Sequence, residues 1–587
     1  MHVEVSIPIA LFKTFTYTVP NQYRKNVFLG QSVIIPFNNK KINGFITDIQ
    51  SKSKYKGKLL SIISTNDNAF YISPELWKTI SWISKYYICP LGKVLNNTIS
   101  YQHRQKYTIP LIKYAKLTPK GKDAIVTLKY KAQKKILKIL DSHLDENVPI
   151  NDFKSAVPSY IDVCKRLEVN KYINIISKDN ITGILNFQKN PLKLKLSKIQ
   201  NDIFNAIENN IITNYKQPIL LSGLPGSGKT MVYIKVIEKY INSNKAIIVL
   251  VPEISLIQQT YEQVNNYYPQ SVGIWHGKLS QTEKNYVLKQ LRANKIKIIV
   301  GTRSAIFMPF KKLGLIIVDE EQEFSYKQDL NSPFYHSRDV ALMRAKFSNS
   351  SILLISSAPS IESYYNVINN KYYNHTLDIK YFKTTELSKV QLVEMSNQKG
   401  LLSDVLIKNI TDTLNKNEQI VLMQNKKGLE GGGIQKVESI LYKFFPNIKI
   451  LRYDGDSIKK SKAYYDILNT FKKGDADILL GTQMIAKGLD FSNVSLVGII
   501  SADIGLFIPD FRSGERTFQL IYQLIGRAGR RNKPSMSIVQ SHNTDDFYIK
   551  SACNLQIKES YDKILEDREE LNYPPFSRLI RILFLGK

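Results

Sequence analysis

Residues 218–230 read Pro-Ile-Leu-Leu-Ser-Gly-Leu-Pro-Gly-Ser-Gly-Lys-Thr, and the architecture around them follows from this stretch. Pro218–Ser222 is an apolar run typical of a buried strand, and helical spacing begins after Thr230. The pattern G-x-x-x-x-G-K-[ST] between a strand and a helix predicts a phosphate-binding loop, with Lys229 on the β- and γ-phosphates and Thr230 on Mg²⁺. A chance glycine-rich turn is the alternative. The predicted nucleotide-binding residues here are Gly223, Leu224, Pro225, Gly226, Ser227, Gly228, Lys229 and Thr230.

A second strand that ends in acidic residues completes this predicted site. Leu313–Val318 precedes Asp319-Glu320-Glu321-Gln322, about ninety residues after the phosphate-binding loop. In nucleoside triphosphatases, the first acid of such a strand end holds Mg²⁺ and the second polarises the attacking water. We therefore assign Asp319 to Mg²⁺ and Glu320 to catalysis, and the predicted chemistry is hydrolysis of a nucleoside triphosphate.

Strand-like and helical runs alternate from about residue 193 to residue 356 and again from residue 420 to residue 540. Such alternation predicts parallel sheets covered by helices, and its repetition predicts two tandem α/β lobes. The second lobe contains Gln523–Arg531, where Arg527 and Arg530 are expected to neutralise the γ-phosphate from across a cleft. A basic helix end that faces solvent is the alternative.

Charge is concentrated in the first third of the chain. The 587 residues carry a net charge of +32, and residues 1–190 hold 29 basic and 12 acidic side chains. Tyr101–Leu140 has eleven Lys or Arg and a single acid, Asp123. This clustering favours a nucleic-acid-binding front end over a solvated basic face. Three cysteines without a paired motif exclude a disulfide framework and indicate a reducing, cytoplasmic setting. We expect neither a secretory nor a membrane segment.

Together these motifs resemble superfamily 2 helicases, and in finer detail the PriA family of bacterial replication-restart helicases. The resemblance rests on Val251–Leu256, Gly301–Phe307, Asp319–Gln322, Gly481–Phe491, Ala502-Asp503, Asp510–Arg516, Phe15–Tyr17, Val33–Phe37 and Ser84–Gly92. It implies two RecA-like lobes that use ATP and Mg²⁺ to unwind DNA in the 3′-to-5′ direction. It also implies branched or forked DNA and single-stranded DNA as partners, together with other primosome proteins, single-strand-binding protein and a nucleoid location.

The resemblance also implies a domain order. We expect a small β-rich domain that binds DNA 3′ ends at 1–105, a basic winged-helix domain at 106–190, an ATP-binding lobe at 191–385 and a second lobe at 386–550. Residues 551–587 resemble the start of a C-terminal domain, most of which would be missing. In the family these motifs implicate the following further residues: Phe15, Tyr17, Lys58, Glu253, Thr302, Arg303, Tyr326 and Thr482 for DNA, and Gln322, Gly488 and Asp490 for the nucleotide.

Four departures from the family pattern bear on function. The family carries a cysteine-rich module that binds zinc, whereas residues 428–434 here lack its cysteines, so we expect no zinc. The family often has an acid at Thr16 and a glycine at Asn38. The acidic segment Asp319–Gln322 ends in Gln322 where the family has a histidine, and an amide cannot become a cation. The missing cysteine-rich module, Gln322 and the absence of most of the C-terminal domain motivate an alternative, a fork-binding DNA scaffold with impaired unwinding. An RNA helicase is the third possibility, and packing within the core is the alternative role for Tyr326.

Overall fold

A computed structural model describes residues 1–52, 55, 57–65, 72–99, 111–142, 148–179, 191–377, 389–424, 433–454, 461–486, 493–526 and 535–582. Within these ranges, no helix combines the length and the apolar character that crossing a lipid bilayer requires.

The N-terminal unit is an antiparallel sheet with the strand order β2–β1–β4–β3–β5. Its inward face is apolar because residues such as Val3 and Val5 alternate with partly exposed ones along the first strand;. Two helices follow the sheet and pack beside it. The elements are β1 (His2–Ser6), β2 (Phe15–Thr18), β3 (Ser32–Phe37), β4 (Lys40–Gln50), β5 (Ser64–Thr65), α1 (Pro74–Tyr86) and α2 (Leu91–Thr98).

A second small unit combines three antiparallel strands in the order β7–β6–β8 with three helices. Its core includes Ile136, Phe153 and Leu167, all fully buried. This composition agrees with the expected winged-helix domain, but the winged-helix assignment itself remains a prediction. The elements are β6 (Leu111–Leu117), α3 (Pro119–Thr127), α4 (Lys131–Ser142), β7 (Val148–Pro149), α5 (Tyr160–Val169) and β8 (Ile173–Asp179).

The first lobe has a seven-stranded parallel sheet with the order β11–β12–β10–β13–β14–β9–β15. All residues of the central strands are buried, as expected for a parallel sheet covered on both faces;. The strands are β9 (Ile219–Gly223), β10 (Ala246–Leu250), β11 (Val272–Trp275), β12 (Ile298–Gly301), β13 (Leu313–Val318), β14 (Ser351–Ser356) and β15 (Tyr373–Leu377). The helices are α6 (Lys198–Asn214), α7 (Lys229–Asn242), α8 (Ile254–Asn265), α9 (Gln281–Arg292), α10 (Ser337–Ser348) and α11 (Ile361–Ile368).

The second lobe has a six-stranded parallel sheet with the order β16–β21–β20–β17–β19–β18. The predicted pair of tandem parallel lobes is therefore confirmed. The strands are β16 (Lys389–Glu394), β17 (Gln419–Met423), β18 (Ile450–Tyr453), β19 (Ile478–Gly481), β20 (Val494–Ile499) and β21 (Met536–Ser541). The helices are α12 (Asp404–Asn415), α13 (Ile434–Phe444), α14 (Ser461–Lys472) and α15 (Ser513–Ile525), followed by α16 (Phe547–Cys553) and α17 (Ile557–Glu570).

The units are joined by packed helices. In the N-terminal unit, α1 packs against α10 of the first lobe, and Ile80 and Ile83 share one apolar core with Val340 and Ala341. Between the lobes, α8 contacts α14, and α11 contacts α17. These contacts place the N-terminal unit and both lobes in continuous apolar contact, so a displacement of one can be transmitted to another.

Gly92 permits the close approach of α2 to the N-terminal sheet, because a Cβ at this position would collide with the carbonyl oxygen of Ile7. We expect Gly92→Ala to cost about 1–3 kcal/mol of local stability, since the obstructing atom belongs to the backbone and cannot rotate away. Hydrogen–deuterium exchange of peptides from residues 1–9 should accelerate, and the thermal midpoint should fall. Gly277→Ala is the control because a Cβ there would meet nothing within 4 Å; equal behaviour of both variants would contradict this packing role.

Candidate functional site

The phosphate-binding loop lies between β9 and α7, as predicted. Gly226 and Gly228 take φ values of 81° and 87°, a left-handed backbone that glycine adopts without strain;. Lys229 Nζ donates hydrogen bonds to the carbonyl oxygens of Gly223 at 2.7 Å and Leu224 at 3.0 Å. The Ser227 hydroxyl is buried and has no hydrogen-bond partner among the described residues. An ammonium folded over a glycine loop and a buried hydroxyl without a partner are features that fit a bound phosphate.

A glutamine outside the predicted set also contacts this loop. Gln200 is 1% exposed, and its side-chain amide donates to the Gly228 carbonyl at 3.4 Å. Its side chain also closes a capping box with Ser197 at the start of α6. The Ser-x-x-Gln spacing was visible in the sequence as a helix-start signal, but only the fold brings that helix end to the phosphate-binding loop.

The acidic loop follows β13 at the same edge of the sheet. The Glu320 N–H donates to Asp319 Oδ1 at 3.0 Å, and Glu320 takes a φ of 49°, which is uncommon for a residue with a side chain;. Gln322 Nε2 donates to Glu320 Oε2 at 2.9 Å, while its Oε1 accepts the Ser356 hydroxyl at 2.5 Å. Gln322 therefore links the second acid to the end of β14, the strand between β13 and β9.

Glu321, the third acid of this loop, was not assigned a role from the sequence. It is fully buried and pairs with Arg338 at 3.0 Å. Its carboxylate also accepts hydrogen bonds from the backbone and hydroxyl of Ser360 and from the hydroxyl of Ser363. Because a buried charge must be paired, these four contacts fix the acidic loop against α10 and against the segment that follows β14.

The second lobe reaches the phosphate-binding loop at the end of α15. A Cβ at Gly526 would collide with the ring of Pro225, so only a residue without a side chain permits this approach. The predicted residues Arg527 and Arg530 lie outside the described residues, as do Gly488 and Asp490. Thr482 lies directly after β19, is 5% exposed, and its carbonyl accepts the Ile485 N–H.

The residues predicted to touch the DNA backbone lie at the carboxyl edge of the parallel sheet in the first lobe. Glu253 follows β10, and Thr302 and Arg303 follow β12; all three are partly exposed. Arg303 Nη1 donates to the Lys327 carbonyl at 2.6 Å, so this strand end is tied to the aromatic segment. The parallel sheet places these residues on the same edge as Asp319 and the phosphate-binding loop.

The aromatic segment, defined here as residues 324–336, contacts both the acidic loop and the N-terminal unit. Tyr326 is fully buried and donates to the Asp319 carbonyl at 2.6 Å; this placement leaves its ring no exposed face for stacking on a base. Burial, and then the charge of Asp319, raises its pKa well above 10. Exposed Phe324 lies under the Arg516 guanidinium, 4.1 Å from its ring centre. Tyr87 of the N-terminal unit accepts the His336 N–H at 3.0 Å.

The residues predicted to bind a 3′ end belong to the N-terminal unit, and they differ in how exposed they are. Phe15 is partly exposed and packs edge-to-face on Phe37, and Lys58 is exposed. Tyr17, however, is 4% exposed and donates to the Pro36 carbonyl, so it supports the sheet. Thr16, where the family often has an acid, donates to the Glu4 carboxylate at 2.6 Å. An acid therefore lies beside this position on the neighbouring strand, a pairing that only the strand register reveals.

Among the described residues, no cluster of three or more His, Cys, Asp or Glu side chains has the arrangement of a metal site. His276 is buried and its pKa is lowered to about 4 by burial; the same cause lowers the pKa of His336 to about 4. Both imidazoles are therefore neutral near pH 7.

Three segments of the chain match models of known protein domains. Residues 4–100 match a 3′ DNA-binding domain model, residues 197–367 match the DEAD/DEAH box helicase model, and residues 402–532 match the helicase conserved C-terminal domain. Among solved structures, RecG bound to a three-way DNA junction is similar at 20% identity and a TM-score of 0.44, over 64% of this chain and 47% of that one. Yeast Dbp5 bound to RNA is similar at 16% identity and a TM-score of 0.43, over 64% of this chain and 98% of that one.

Curated relatives match over nearly the whole chain. The replication restart protein PriA of Chlamydia pneumoniae is 32% identical, over 100% of this chain and 87% of its own length. The replication restart protein PriA of Bacillus subtilis is 29% identical, over 96% of this chain and 86% of its own length. With helicase domain models matching both lobes, the resemblance found in the motifs is confirmed, and the chain belongs to the PriA family of ATP-dependent replication restart DNA helicases.

Proposed function

We propose that this protein unwinds branched DNA in the 3′-to-5′ direction by hydrolysing ATP between its two lobes, and that it helps to assemble the primosome at stalled forks. The observation that carries the proposal is the convergence of Lys229, Glu320 and the Gly526 end of α15 at one edge of the first sheet. A motor needs the nucleotide between lobes that can close on it, and this edge is also the one that carries the predicted DNA contacts.

In this proposal the chain's own groups share the work of hydrolysis. Lys229 would exchange its bonds with the loop carbonyls for the β- and γ-phosphate oxygens, and the Ser227 hydroxyl would gain a phosphate partner. Glu320 would orient the attacking water and accept its proton, held in place by Gln322. Arg527 and Arg530 would stabilise the charge that develops on the γ-phosphate. Thr230 and Asp319 would hold Mg²⁺, which when bound neutralises charge on the phosphate oxygens.

DNA binding in this proposal begins with the basic N-terminal third. In the small second unit, the lysines of α3 and α4 are mostly exposed, among them Lys122, Lys131, Lys135 and Lys138. Phosphate contacts by such residues give affinity without sequence preference, as recognition of a fork by its shape requires. Phe15, Lys58 and the Glu4–Thr16 pair are the proposed contacts for a 3′ end. Single-strand-binding protein and other primosome proteins are proposed partners by family membership.

Unwinding of forked DNA tests the function directly. Wild-type protein should separate the strands only with ATP and Mg²⁺, and faster when the leading strand has a 3′-hydroxyl end at the junction. Lys229→Ala and Glu320→Gln should lower the rate of DNA-stimulated ATP hydrolysis by about 10²-fold or more, because each removes a group that acts on the reacting phosphate or water. Binding of the fork, measured by fluorescence anisotropy, should remain within about threefold.

The same assay decides among the three functions. ATP-independent fork binding without strand separation would favour the scaffold, for which the missing cysteine-rich module and Gln322 were the motives. Stronger stimulation of ATP hydrolysis by RNA than by DNA would favour the RNA helicase. Hydrolysis that proceeds at the wild-type rate in Lys229→Ala would contradict the proposed nucleotide site altogether.

Gln322 is proposed to couple the acidic loop to β14 through its two hydrogen bonds. We expect Gln322→Ala to lower the rate of DNA-stimulated hydrolysis about tenfold with little change in ATP affinity, because Glu320 loses one hydrogen-bond donor and Ser356 loses one acceptor;. Ser356→Ala should have a similar effect, and the double variant should be no worse than either single one. Fully additive losses, measured as kcat in steady-state assays, would show that the two residues act separately.

A further inference from the structure

Charged side chains that are buried or half-buried bridge the two lobes beside the nucleotide site. We define the interlobe charge cluster as Arg338 and Glu362 from the first lobe, with Glu515 from α15 and Arg568 from α17. Arg568 lies 2.5 Å from Glu515 and 3.8 Å from Glu362, and Arg338 also lies 3.8 Å from Glu362. Glu515 and Arg568 are 6% and 3% exposed. Burying such charges is costly, so their pairing constrains how the lobes meet.

Glu515 makes the contacts that cross between the lobes. Its Oε1 accepts the backbone N–H of Ile361 at 3.1 Å, at the first turn of α11, where a helix favours negative charge;. Gln519, one turn further along α15, donates both to Glu515 at 3.2 Å and to the Pro359 carbonyl at 3.1 Å. One carboxylate therefore joins α15, α17 and the segment that follows β14.

The two ends of this connection are both parts of the nucleotide site. On the first lobe, Pro359 and Ile361 flank Ser360, which binds the buried Glu321 of the acidic loop. On the second lobe, α15 runs from Glu515 to the Gly526 end that packs on Pro225. A helix of 13 residues spans about 20 Å, so a small tilt at its first turn moves its far end by about an ångström;.

We propose that Glu515 is a positioning residue for ATP hydrolysis: by holding Ile361 and Arg568, it sets where the end of α15 meets the phosphate-binding loop. This inference rests on the proposed function and says how the two lobes are aligned for hydrolysis. A misplacement of about 1 Å can cost about 10²-fold in rate without loss of substrate binding.

Glu515→Gln tests the proposal, since the amide keeps the shape but turns an N–H₂ group toward the Arg568 guanidinium. We expect kcat for DNA-stimulated hydrolysis to fall about 10- to 100-fold while KM for ATP stays within about threefold. Unwinding should fall in parallel. Combining it with Arg568→Gln should recover at least part of kcat, because two amides can hydrogen-bond to each other and no unpaired guanidinium remains.

Asp562→Asn is the matched control. Asp562 lies on α17, the helix that carries Arg568, and at the same interface. Its carboxylate accepts the Tyr364 hydroxyl at 3.0 Å, and an amide oxygen can keep that bond. Its kcat and KM should remain within about twofold. Gln519→Met serves if Glu515→Gln does not fold, as judged by its thermal transition: this variant buries no unpaired charge and should lower kcat about three- to tenfold.

The possible outcomes separate the positioning role of Glu515 from a role in nucleotide binding and from the proposed function. Unchanged kcat in a folded Glu515→Gln or, failing that variant, in Gln519→Met would overturn the positioning role. A raised KM at unchanged kcat would also overturn it, since it would assign Glu515 to nucleotide binding. A wild-type protein without DNA-stimulated hydrolysis would overturn the proposed function itself and the positioning role with it, whereas an active wild type with unaffected variants overturns the positioning role alone.

Discussion

Burial of the Glu321 carboxylate is the interaction on which the nucleotide site depends. A fully buried charge is tolerated only with partners, and Arg338, Ser360 and Ser363 supply them;. These partners belong to α10 and to the segment after β14, so the acidic loop cannot shift without moving both. Glu320 is thereby held in a left-handed conformation that a free loop would seldom adopt, and its φ of 49° is the local cost of aiming the second acid;.

The same network extends to the other lobe and to the N-terminal unit. Burial raises the pKa of Glu362, but the charges of Arg338, Arg512 and Arg568 together lower it by more. The net pKa is below the ordinary value, so Glu362 is charged at neutral pH. Toward the N-terminal unit, the aromatic segment joins Asp319 to Tyr87 through partly buried hydrogen bonds. The acidic loop is thus connected to a DNA-binding unit on one side and to the second lobe on the other. Closing the lobes around a nucleotide would act on both connections, as expected of a motor.

Much of the fold could be predicted from local sequence. The runs Pro218–Ser222 and Leu313–Val318 were identified within a residue because buried parallel strands are apolar throughout;. Strands with mixed composition, such as Tyr373–Leu377 and Lys389–Glu394, were missed because they lie at sheet edges and alternate polar with apolar residues;. Tyr17 and Tyr326 were predicted to face DNA because the sequence gives an aromatic residue's position in a motif but not its burial.

By itself, the sequence determined the chemistry: a phosphate-binding loop after a strand, acids at the end of another, and a basic N-terminal third. Those signals are local, since they depend on spacing within one turn, strand or helix end. Only the tertiary structure decided which distant groups complete the site, such as Gln200 at the loop, Glu4 beside Thr16, and Glu515 across the lobe boundary. Their pairing arises from desolvation, and burial exists only once separate elements of the chain have packed together.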